Sequence, residues 1–344
     1  MSPDSFEPRV TPWQIDDSDF YEIESYRDQI AFLLRYAVLA PSAHNTQPWK
    51  FRIVDEGVEV FADYSLRLPI IDPDDRELLM SVGASITNLR VAAAWFGFES
   101  TVLYQSRSEQ SVPVAVVAIR ETCLPDPKLV ALFPAIRRRH TNRSPFTNDP
   151  IGTDAASAIC DVIEAYPDAL HALREQHRAA VADLVTEANH LLMARPAVRA
   201  ELADHLRATA DEQHDGIPTD SLGINAPAGM AAWVLRNMNL SDVQAERDRE
   251  RLDRSALMVV LTADDDRTSL IQAGEILERL LLTITLHGVQ YAFVNQPAEV
   301  PQLRHRLQEL ALMTRPPQMI VVAGCASEDA RPAPRRAVES ALIP

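Results

Sequence analysis

The stretch DDRELLMSVGASITNLRVAAAWFGFESTVLYQ, residues 74–105, returns late in the chain as DDRTSLIQAGEILERLLLTITLHGVQYAFVNQ, residues 265–296. The two stretches align without a gap. Each has the pattern of a long apolar helix that ends at a glycine suited to the left-handed conformation, followed by a strand. The repeat predicts that one supersecondary unit occurs twice. Identical residues include the pairs Asp74 and Asp265, Arg76 and Arg267, Gly83 and Gly274, Gly97 and Gly288, and Gln105 and Gln296.

Strand patterns flank both copies. VEVFAD (58–63) and ALMVVL (256–261) precede them, and VPVAVVAI (112–119) and QMIVVAG (318–324) follow. Alternating helix and strand patterns predict an α+β fold with three layers, α/β/α. Two copies in one chain predict two fused halves that form an internal pseudo-dimer. The alternative is a chance resemblance between two buried helices.

Three prolines interrupt the periodic pattern between the two copies, namely Pro125, Pro127 and Pro134. Because proline breaks helices and strands, we place the join of the halves here. The N-terminal half then covers residues 1–125 and the C-terminal half residues 126–344. The second half contains a long insertion over residues 196–254, which is rich in turn residues and is typical of segments that cover sites.

The composition is that of a globular protein that does not bind nucleic acid or membranes. The 344 residues are 47% hydrophobic, and their net charge of −16 argues against phosphate-backbone binding. The sequence shows neither an apolar run as long as a membrane span nor a signal peptide, so we expect a cytoplasmic protein. The three cysteines lie far apart, and we expect reduced thiols, two of them buried.

A polar loop in the stretch LAPSAHNTQPWKF, residues 39–51, lies between an apolar helix and a strand. The helix must end near Pro41, because proline lacks the backbone donor of a helix interior. The strand is WKFRIV, in which large apolar residues alternate with mostly polar ones. Hydroxyl and amide groups fixed between two rigid elements favour a ligand site.

The densest positive patch is IRRRHTNRSPF, residues 136–146. Its arginines and short polar side chains are the donors that a phosphate group requires. The alternative is a solvated basic turn that pairs with nearby acidic residues.

Several catalytic classes lack their signatures in this chain. Sequence patterns for Rossmann dinucleotide binding, P-loop phosphoryl transfer, nucleophile-elbow hydrolysis and zincin chemistry are all missing. The nine histidines have no metal-ligand spacing, so we expect no metal site. His214 and Asp215 in the insertion form either a catalytic pair or part of an Asp-Gly turn, and the local sequence favours the turn.

The two polar loops carry a family resemblance. APSAHNTQPWKF resembles the APSxxNxQPWxF signature of the FMN-dependent nitroreductase family, and RHTNR (139–143) resembles its RxSxR phosphate element. The chain is similar to the Acg-type proteins of actinobacteria, in which two nitroreductase-like halves in one polypeptide retain a single FMN site. The resemblance extends over about residues 27–336 and implies a nitroreductase-like fold.

The resemblance also implies which residues hold FMN. The phosphate and ribityl tail would be held by Arg139, His140, Thr141 and Arg143, and the ring would be approached by Pro41, Ser42, Ala43 and Asn45. The backbone at Val294, Asn295 and Gln296 would face the reactive edge of the flavin, although VNQP departs from the acidic residue and glycine often found there. The stretch RPAPRR adds Arg335 and Arg336 as phosphate partners. Contacts with the pyrimidine edge would fall within residues 189–207, and no catalytic side chain is assigned.

The implied activity is ping-pong reduction of a nitroaromatic or a quinone, with NADH or NADPH as the electron donor and FMN as the carrier. One alternative is a catalytically weak protein that stores or sequesters FMN beneath a lid during stress or dormancy. A third possibility is a structural pseudo-dimer that has lost its cofactor. Because the repeat supplies an internal interface, we expect a monomer or a weak homodimer.

Overall fold

A computed structural model describes residues 12–105, 109, 111–208, 214–219 and 226–344, so the predicted insertion is described except at 209–213 and 220–225. Helices and strands are both abundant, which confirms the predicted α+β class. The helices are α1 (Tyr26–Ala37), α2 (Arg76–Trp95), α3 (Pro127–Ile136), α4 (Thr153–Ala165), α5 (Arg178–Ala194), α6 (Pro196–Asp204), α7 (Ala228–Asn237), α8 (Ser241–Asp253), α9 (Arg267–Leu286), α10 (Gln296–Glu299) and α11 (Pro301–Leu310). The strands are β1 (Trp49–Val54), β2 (Gly57–Ala62), β3 (Phe98–Tyr104), β4 (Ala115–Glu121), β5 (Leu170–Ala172), β6 (Leu206–Arg207), β7 (Ile217–Pro218), β8 (Leu257–Thr262), β9 (Gln290–Phe293) and β10 (Pro317–Gly324).

Two four-stranded antiparallel sheets have matching strand orders. The first sheet runs β1-β2-β4-β3 and the second β5-β8-β10-β9. In the first sheet, β2 precedes α2 and β3 follows it, and β4 lies between these two strands. In the second sheet, β8 precedes α9 and β9 follows it, and β10 lies between them. The predicted strand WKFRIV coincides with β1. The glycines that follow α2 and α9 have left-handed φ angles, +86° at Gly97 and +72° at Gly288, as the repeat predicted.

The predicted three layers surround the second sheet but not the first. Strand β10 is buried along its whole length because helices cover both faces, with α5 on one side and α9 on the other. In β1 and β4 buried residues alternate with partly exposed ones, since helices pack on one face only. The first sheet therefore has two layers, and its alternating pattern is that of a half-buried antiparallel sheet.

The chain crosses between the two predicted halves at two places. Helix α3, at the start of the predicted second half, packs in the core of the first sheet through Leu129 and Phe133. The C-terminal segment does the same through Val338, and the Ile343 amide donates to the Phe51 carbonyl of β1 over 2.9 Å. These crossings bring the loop after α3 and the C-terminal segment against the loop that precedes β1.

Helices α2 and α9 touch backbone to backbone at the two repeat glycines. A Cβ atom built on Gly83 would lie 2.0 Å from the Ile271 carbonyl oxygen, and one built on Gly274 would lie 2.0 Å from the Met80 carbonyl oxygen. Neither carbonyl can move away, because each belongs to a packed helix. Glycine is therefore required at both positions for the helices to approach this closely.

Two details differ from the sequence prediction. Helix α2 is long and apolar enough to cross a membrane, whereas we expected no such segment. However, 89% of its most apolar stretch is buried inside the protein, so α2 serves as a core helix. All three cysteines are free thiols, yet none is buried: Cys123 and Cys160 are exposed and Cys325 is partly exposed.

The glycine contact predicts an asymmetric response to alanine. Gly83→Ala should lower the free energy of unfolding by about 2 kcal/mol or more, because the new methyl group meets a fixed carbonyl. Gly229→Ala, on helix α7 with open space around the position, should leave stability unchanged or slightly raised. Urea unfolding measures both. Equal midpoints for the two variants would contradict the close approach.

Candidate functional site

A cavity of about 290 Å³ lies where the loop before β1, the loop after α3 and the C-terminal segment meet α2 and α9. Most of the residues that the sequence singled out line it. They are Pro41, Ser42, Ala43, Asn45, Arg139, His140, Thr141, Arg143, Asn295, Gln296 and Arg335. Val294 and Arg336 do not line the cavity. Val294 is fully buried in the core, and Arg336 binds the Thr46 carbonyl and the Asp215 carboxylate.

The loop before β1 has an unusual backbone that the surrounding structure holds in place. His44, Asn45 and Gln47 have positive φ angles of 46°, 57° and 55°. Such angles are costly for residues with a side chain and persist only when neighbours enforce them. The Asn45 amide donates to the carbonyls of Gly216 at 3.0 Å and Pro334 at 2.9 Å, and its oxygen accepts from Arg335 at 2.7 Å. The Asn45 side chain thus joins the loop to the insertion and to the C-terminal segment.

Arg139 reaches away from the loop into the protein core. Its guanidinium donates to the Tyr291 hydroxyl at 2.6 Å and to the Leu39 carbonyl at 2.8 Å. Its Nε lies 3.3 Å from Glu278 Oε1 in an ion pair that is almost fully buried. Burial raises the pKa of Glu278 to about 7 despite the attraction of Arg139. Arg139 therefore connects the first polar loop to α9 and β9, and both of its terminal nitrogens donate to the protein.

Arg335 is also buried and bound to the protein. It donates to the Ala40 carbonyl at 2.9 Å and to Asn45, and its guanidinium lies 5.0 Å from the centre of the Trp13 ring. Burial and the nearby Arg139 charge lower the pKa of Arg335 to about 9. Like Arg139, Arg335 stabilises the conformation of the polar loop.

Arg143 differs from both, because its guanidinium has no hydrogen-bond partner among the described residues. Burial and the neighbouring Arg251 lower its pKa to about 10, so it stays charged at neutral pH. Arg251 is itself held by Asp248 at 2.7 Å and by the Arg143 carbonyl at 3.1 Å. His44 also lines the cavity, and burial lowers its pKa to about 3, with His205 and Arg143 adding to the shift. The unpartnered cation at Arg143 is suited to binding an anionic group.

The segment after β9 is fixed by a second set of polar contacts. Asn295 accepts from the Ile320 amide at 3.0 Å and donates to Glu77 at 3.4 Å, and Gln296 donates to Asp248 at 2.8 Å. The Gln296 amide oxygen is buried without a partner. Such an acceptor is costly to leave unpaired, which makes it a candidate contact for a bound molecule.

The sequence analysis missed several lining residues. His44, Glu77, Glu299 and Arg331 line the cavity, as do apolar side chains from the two long helices and their neighbouring strands. Glu77 lies in the first turn of α2, where the aligned residue of the other repeat copy is Thr268. That difference between the copies is the signal in the sequence that could have identified it. The apolar lining residues are Met80, Ala84, Leu277, Phe293, Met319 and Ile217.

The insertion reaches the site through residues 214–217. The Gln47 amide donates to the His214 carbonyl at 2.9 Å, and the Asp215 carboxylate binds Arg336 and accepts from Arg207 at 2.9 Å. Asp215 therefore belongs to a turn that Arg207 and Arg336 stabilise, which agrees with the turn interpretation of this segment. Asn189, in the range expected to contact a pyrimidine edge, is instead buried against Asp248 at 3.0 Å and does not line the cavity.

Comparison with known proteins gives full-length relatives. The chain is 28% identical over 315 residues to "Putative NAD(P)H nitroreductase Rv3131" of Mycobacterium tuberculosis, with 89% of this chain and 88% of that protein covered. It is 27% identical over 307 residues to "Putative NAD(P)H nitroreductase acg" of the same organism, with 89% and 92% covered. It is also 25% identical over 322 residues to "Uncharacterized protein Rv3127" of that organism, with 90% and 92% covered. No family model matches the chain.

These relatives confirm the resemblance found in the two polar loops. The chain has an α+β fold and a cavity built from both loops, and it is similar to proteins named as NAD(P)H nitroreductases. Over about nine-tenths of its length, the chain is similar to Acg-type proteins of the nitroreductase family.

The arginines of the second loop should respond differently to neutralisation. Arg139→Gln should lower the free energy of unfolding by about 3 to 5 kcal/mol, because it removes one partner of the buried ion pair with Glu278 and the guanidinium that donates to Leu39 and Tyr291. Arg143→Gln should change stability by less than about 1 kcal/mol or raise it, since the Arg143 guanidinium makes no hydrogen bond with the residues that the structure describes. Urea unfolding of the cofactor-free protein tests this. A larger loss for Arg143→Gln than for Arg139→Gln would reverse the assignment.

Proposed function

We propose that this protein binds FMN in the cavity and transfers electrons from NADH or NADPH to a small acceptor, a nitroaromatic or a quinone. The observation that carries the proposal is the unpartnered guanidinium of Arg143 in a cavity built from the two nitroreductase-like loops. The full-length relatives named as NAD(P)H nitroreductases support the electron donor and the reaction class.

The cavity fits a flavin phosphate in chemical character. Arg143 offers the fork geometry that binds phosphate, and the Thr141 hydroxyl lies in the same loop. Met80, Leu277 and Met319 supply apolar surface for an aromatic ring. The unpaired Gln296 oxygen would accept from a hydroxyl or a ring N–H group. A cation, an apolar wall and an orphan acceptor are together what a phosphorylated aromatic cofactor needs.

The contacts indicate different roles for the three arginines of the cavity discussed above. Arg143 would bind the phosphate, whereas Arg139 and Arg335 hold the polar loop of residues 41–45 beside it. Pro41, Ser42, Ala43, Asn295 and Gln296 would line the ring. Bound FMN would supply hydride acceptance and donation, and the protein would supply orientation and exclusion of water.

We also propose that the two sheets with matching strand order represent two fused nitroreductase-like halves. The gap-free repeat and the reciprocal glycine contact between α2 and α9 support this interpretation. Because the internal contact already buries the face that a partner would use, the proposal includes a monomer or a weak homodimer in the cytoplasm. Residue 125 is then a boundary in sequence, with α3 exchanged into the core of the first half.

A visible spectrum of the purified protein tests the proposal directly. We expect a flavin band that bleaches anaerobically on addition of NADPH or NADH, because a reducible flavin takes hydride from either donor. A colourless protein that also fails to take up added FMN would contradict the cofactor assignment.

A second experiment tests whether Arg143 binds the phosphate group of FMN. Arg143→Gln should weaken FMN binding by about 10- to 100-fold, corresponding to one lost charge-assisted contact, and should leave riboflavin binding unchanged. Fluorescence titration with both ligands measures the two affinities. Arg138→Gln, an exposed arginine of the same patch outside the cavity, is the matched control. An equal loss for both ligands in Arg143→Gln would place the phosphate elsewhere.

A second candidate function is FMN storage beneath a lid. The observation that favours it is the fastening of residues 214–217 over the polar loop, through Asn45, Gln47 and the Arg336 ion pair with Asp215, while Ile217 lines the cavity. A segment held in this way would slow release of the flavin and block entry of a donor. Under this candidate, NAD(P)H would bleach the bound flavin slowly or not at all.

Loosening the lid should speed flavin release. Asp215→Ala removes the acceptor shared by Arg207 and Arg336, and we expect the FMN dissociation rate to rise at least about 5-fold, or about 1 kcal/mol. Stopped-flow exchange against excess riboflavin measures the rate. Asp204→Ala, which breaks an exposed ion pair with Arg236 in the same insertion, is the control. Identical rates in the two variants would argue against a lid.

A further inference from the structure

Two carboxyl groups of the cavity wall have no role in holding the flavin. Glu77 is 8% exposed and accepts one long hydrogen bond, 3.4 Å from Asn295, at Oε1, while its Oε2 has no hydrogen-bond partner among the described residues. Glu299, at the end of α10, lines the same cavity. Its carboxyl group makes no hydrogen bond with any described residue. Both groups are therefore open to a molecule in the cavity.

The surroundings of this pair contain more negative than positive charge. Asp72 caps the start of α2 by accepting from the Arg76 and Leu78 amides, and Asp248 lies on α8. Arg76 is a cation that acts on both carboxyl groups, and it donates to Gln318 at 2.8 Å and to the Ala298 carbonyl at 2.9 Å. Arg331 also lines the cavity, and Arg251 binds Asp248 at 2.7 Å.

Burial is the main effect on both carboxyl groups. It raises the pKa of Glu77 to about 7, with the Asp72 charge adding to the shift, and it raises the pKa of Glu299, where the charges of Glu77, Asp72 and Asp248 add to it; Arg76 opposes both shifts. Negative charges gathered in one cavity wall disfavour ionisation of both carboxyl groups at once.

We propose that Glu299, with Glu77 in the same cavity wall, retains a proton at neutral pH and delivers it to the electron acceptor during reduction in the cavity. The proposal rests on the proposed oxidoreductase function. Glu299 is the donor because it has no hydrogen bond to restrain it, whereas Glu77 is held by Asn295. The negative charge of Glu77 then helps to keep the proton on Glu299.

The step balances for a quinone acceptor. Hydride from the reduced flavin carries two electrons and one proton, and a second proton is needed to form the hydroquinone. The O–H bond of the Glu299 carboxylic acid breaks, a new O–H bond forms on the quinone oxygen, and Glu299 is left as a carboxylate. Water then returns a proton to the pair. NADH or NADPH supplies the electrons in the preceding half-reaction.

The kinetic test compares an acceptor that needs a proton with one that does not. Flavin-loaded protein is reduced with dithionite and mixed with a benzoquinone or with ferricyanide, which takes electrons alone. Glu299→Gln should slow the quinone reaction on the order of 10²-fold and change the ferricyanide reaction less than about 2-fold, since general acid catalysis acts only where a proton moves. Glu201→Gln, a buried carboxyl outside the cavity, is the matched control. Equal slowing with both acceptors, or none with either, would overturn the proposal.

A readout without flavin tests whether the pair retains a proton. A carboxyl group whose pKa is raised by folding stabilises the protein below its unfolded pKa, and that stability is lost as pH rises through the folded pKa. The urea midpoint of the cofactor-free wild type should therefore fall between about pH 5 and about pH 8, and that of Glu299→Gln should fall less. If the wild type and Glu299→Gln had equal pH dependence, the proposal that Glu299 retains a proton would be overturned. Dithionite reduction makes the kinetic test independent of NAD(P)H, so failure of the donor assay would count against the proposed function alone.

Discussion

The backbone contact between α2 and α9 is the constraint on which the rest of the structure depends. Gly83 and Gly274 let each helix rest on a carbonyl of the other, which fixes both the separation and the rotation of the helices. On α2, Met80 and Ala84 flank the contact and face the cavity, and Leu277 does so on α9. The shape of the cavity wall is thus a consequence of the helix crossing. A side chain at either glycine would move the wall as well as separate the sheets.

A buried charge network fixes the loops relative to this helix pair. Arg139 links the Leu39 carbonyl of the polar loop to Tyr291 and Glu278, while Arg335 reaches the same loop from the C-terminal segment. Burying these ions is expensive, and the cost is offset only where each guanidinium finds carbonyl and hydroxyl acceptors. Arg143 has no such acceptor in the described part of the chain. This contrast separates arginines that build the site from the one available to a ligand, although all three are equivalent by residue type.

The sequence predicted the elements and loops well because their signals are local. The glycines after the repeat helices marked the ends of α2 and α9, whereas α1 ends at Ala37, before Pro41; the two motifs located part of the cavity lining. The roles of individual arginines could not be predicted, since burial of Arg139 depends on Glu278 and Tyr291, which are distant in sequence. Glu299 was missed for the same reason. The single covered face of the first sheet was visible in the alternation of WKFRIV, but the repeat suggested equal layering of both sheets.

The differences between the two repeat copies explain why the aligned positions are not used alike. Ala84 lines the cavity, whereas the aligned Glu275 is 4% exposed and binds Arg90 at 2.8 Å and the Tyr104 hydroxyl. Tyr104 in turn aligns with Asn295, another residue of the cavity wall. At the cavity, Ala84 of the first copy and Asn295 of the second leave space, whereas Glu275 of the second copy and Tyr104 of the first carry a carboxylate and a phenol that bond to each other. The close helix contact is symmetric, but the side chains around it fill one side and leave the other open for a ligand.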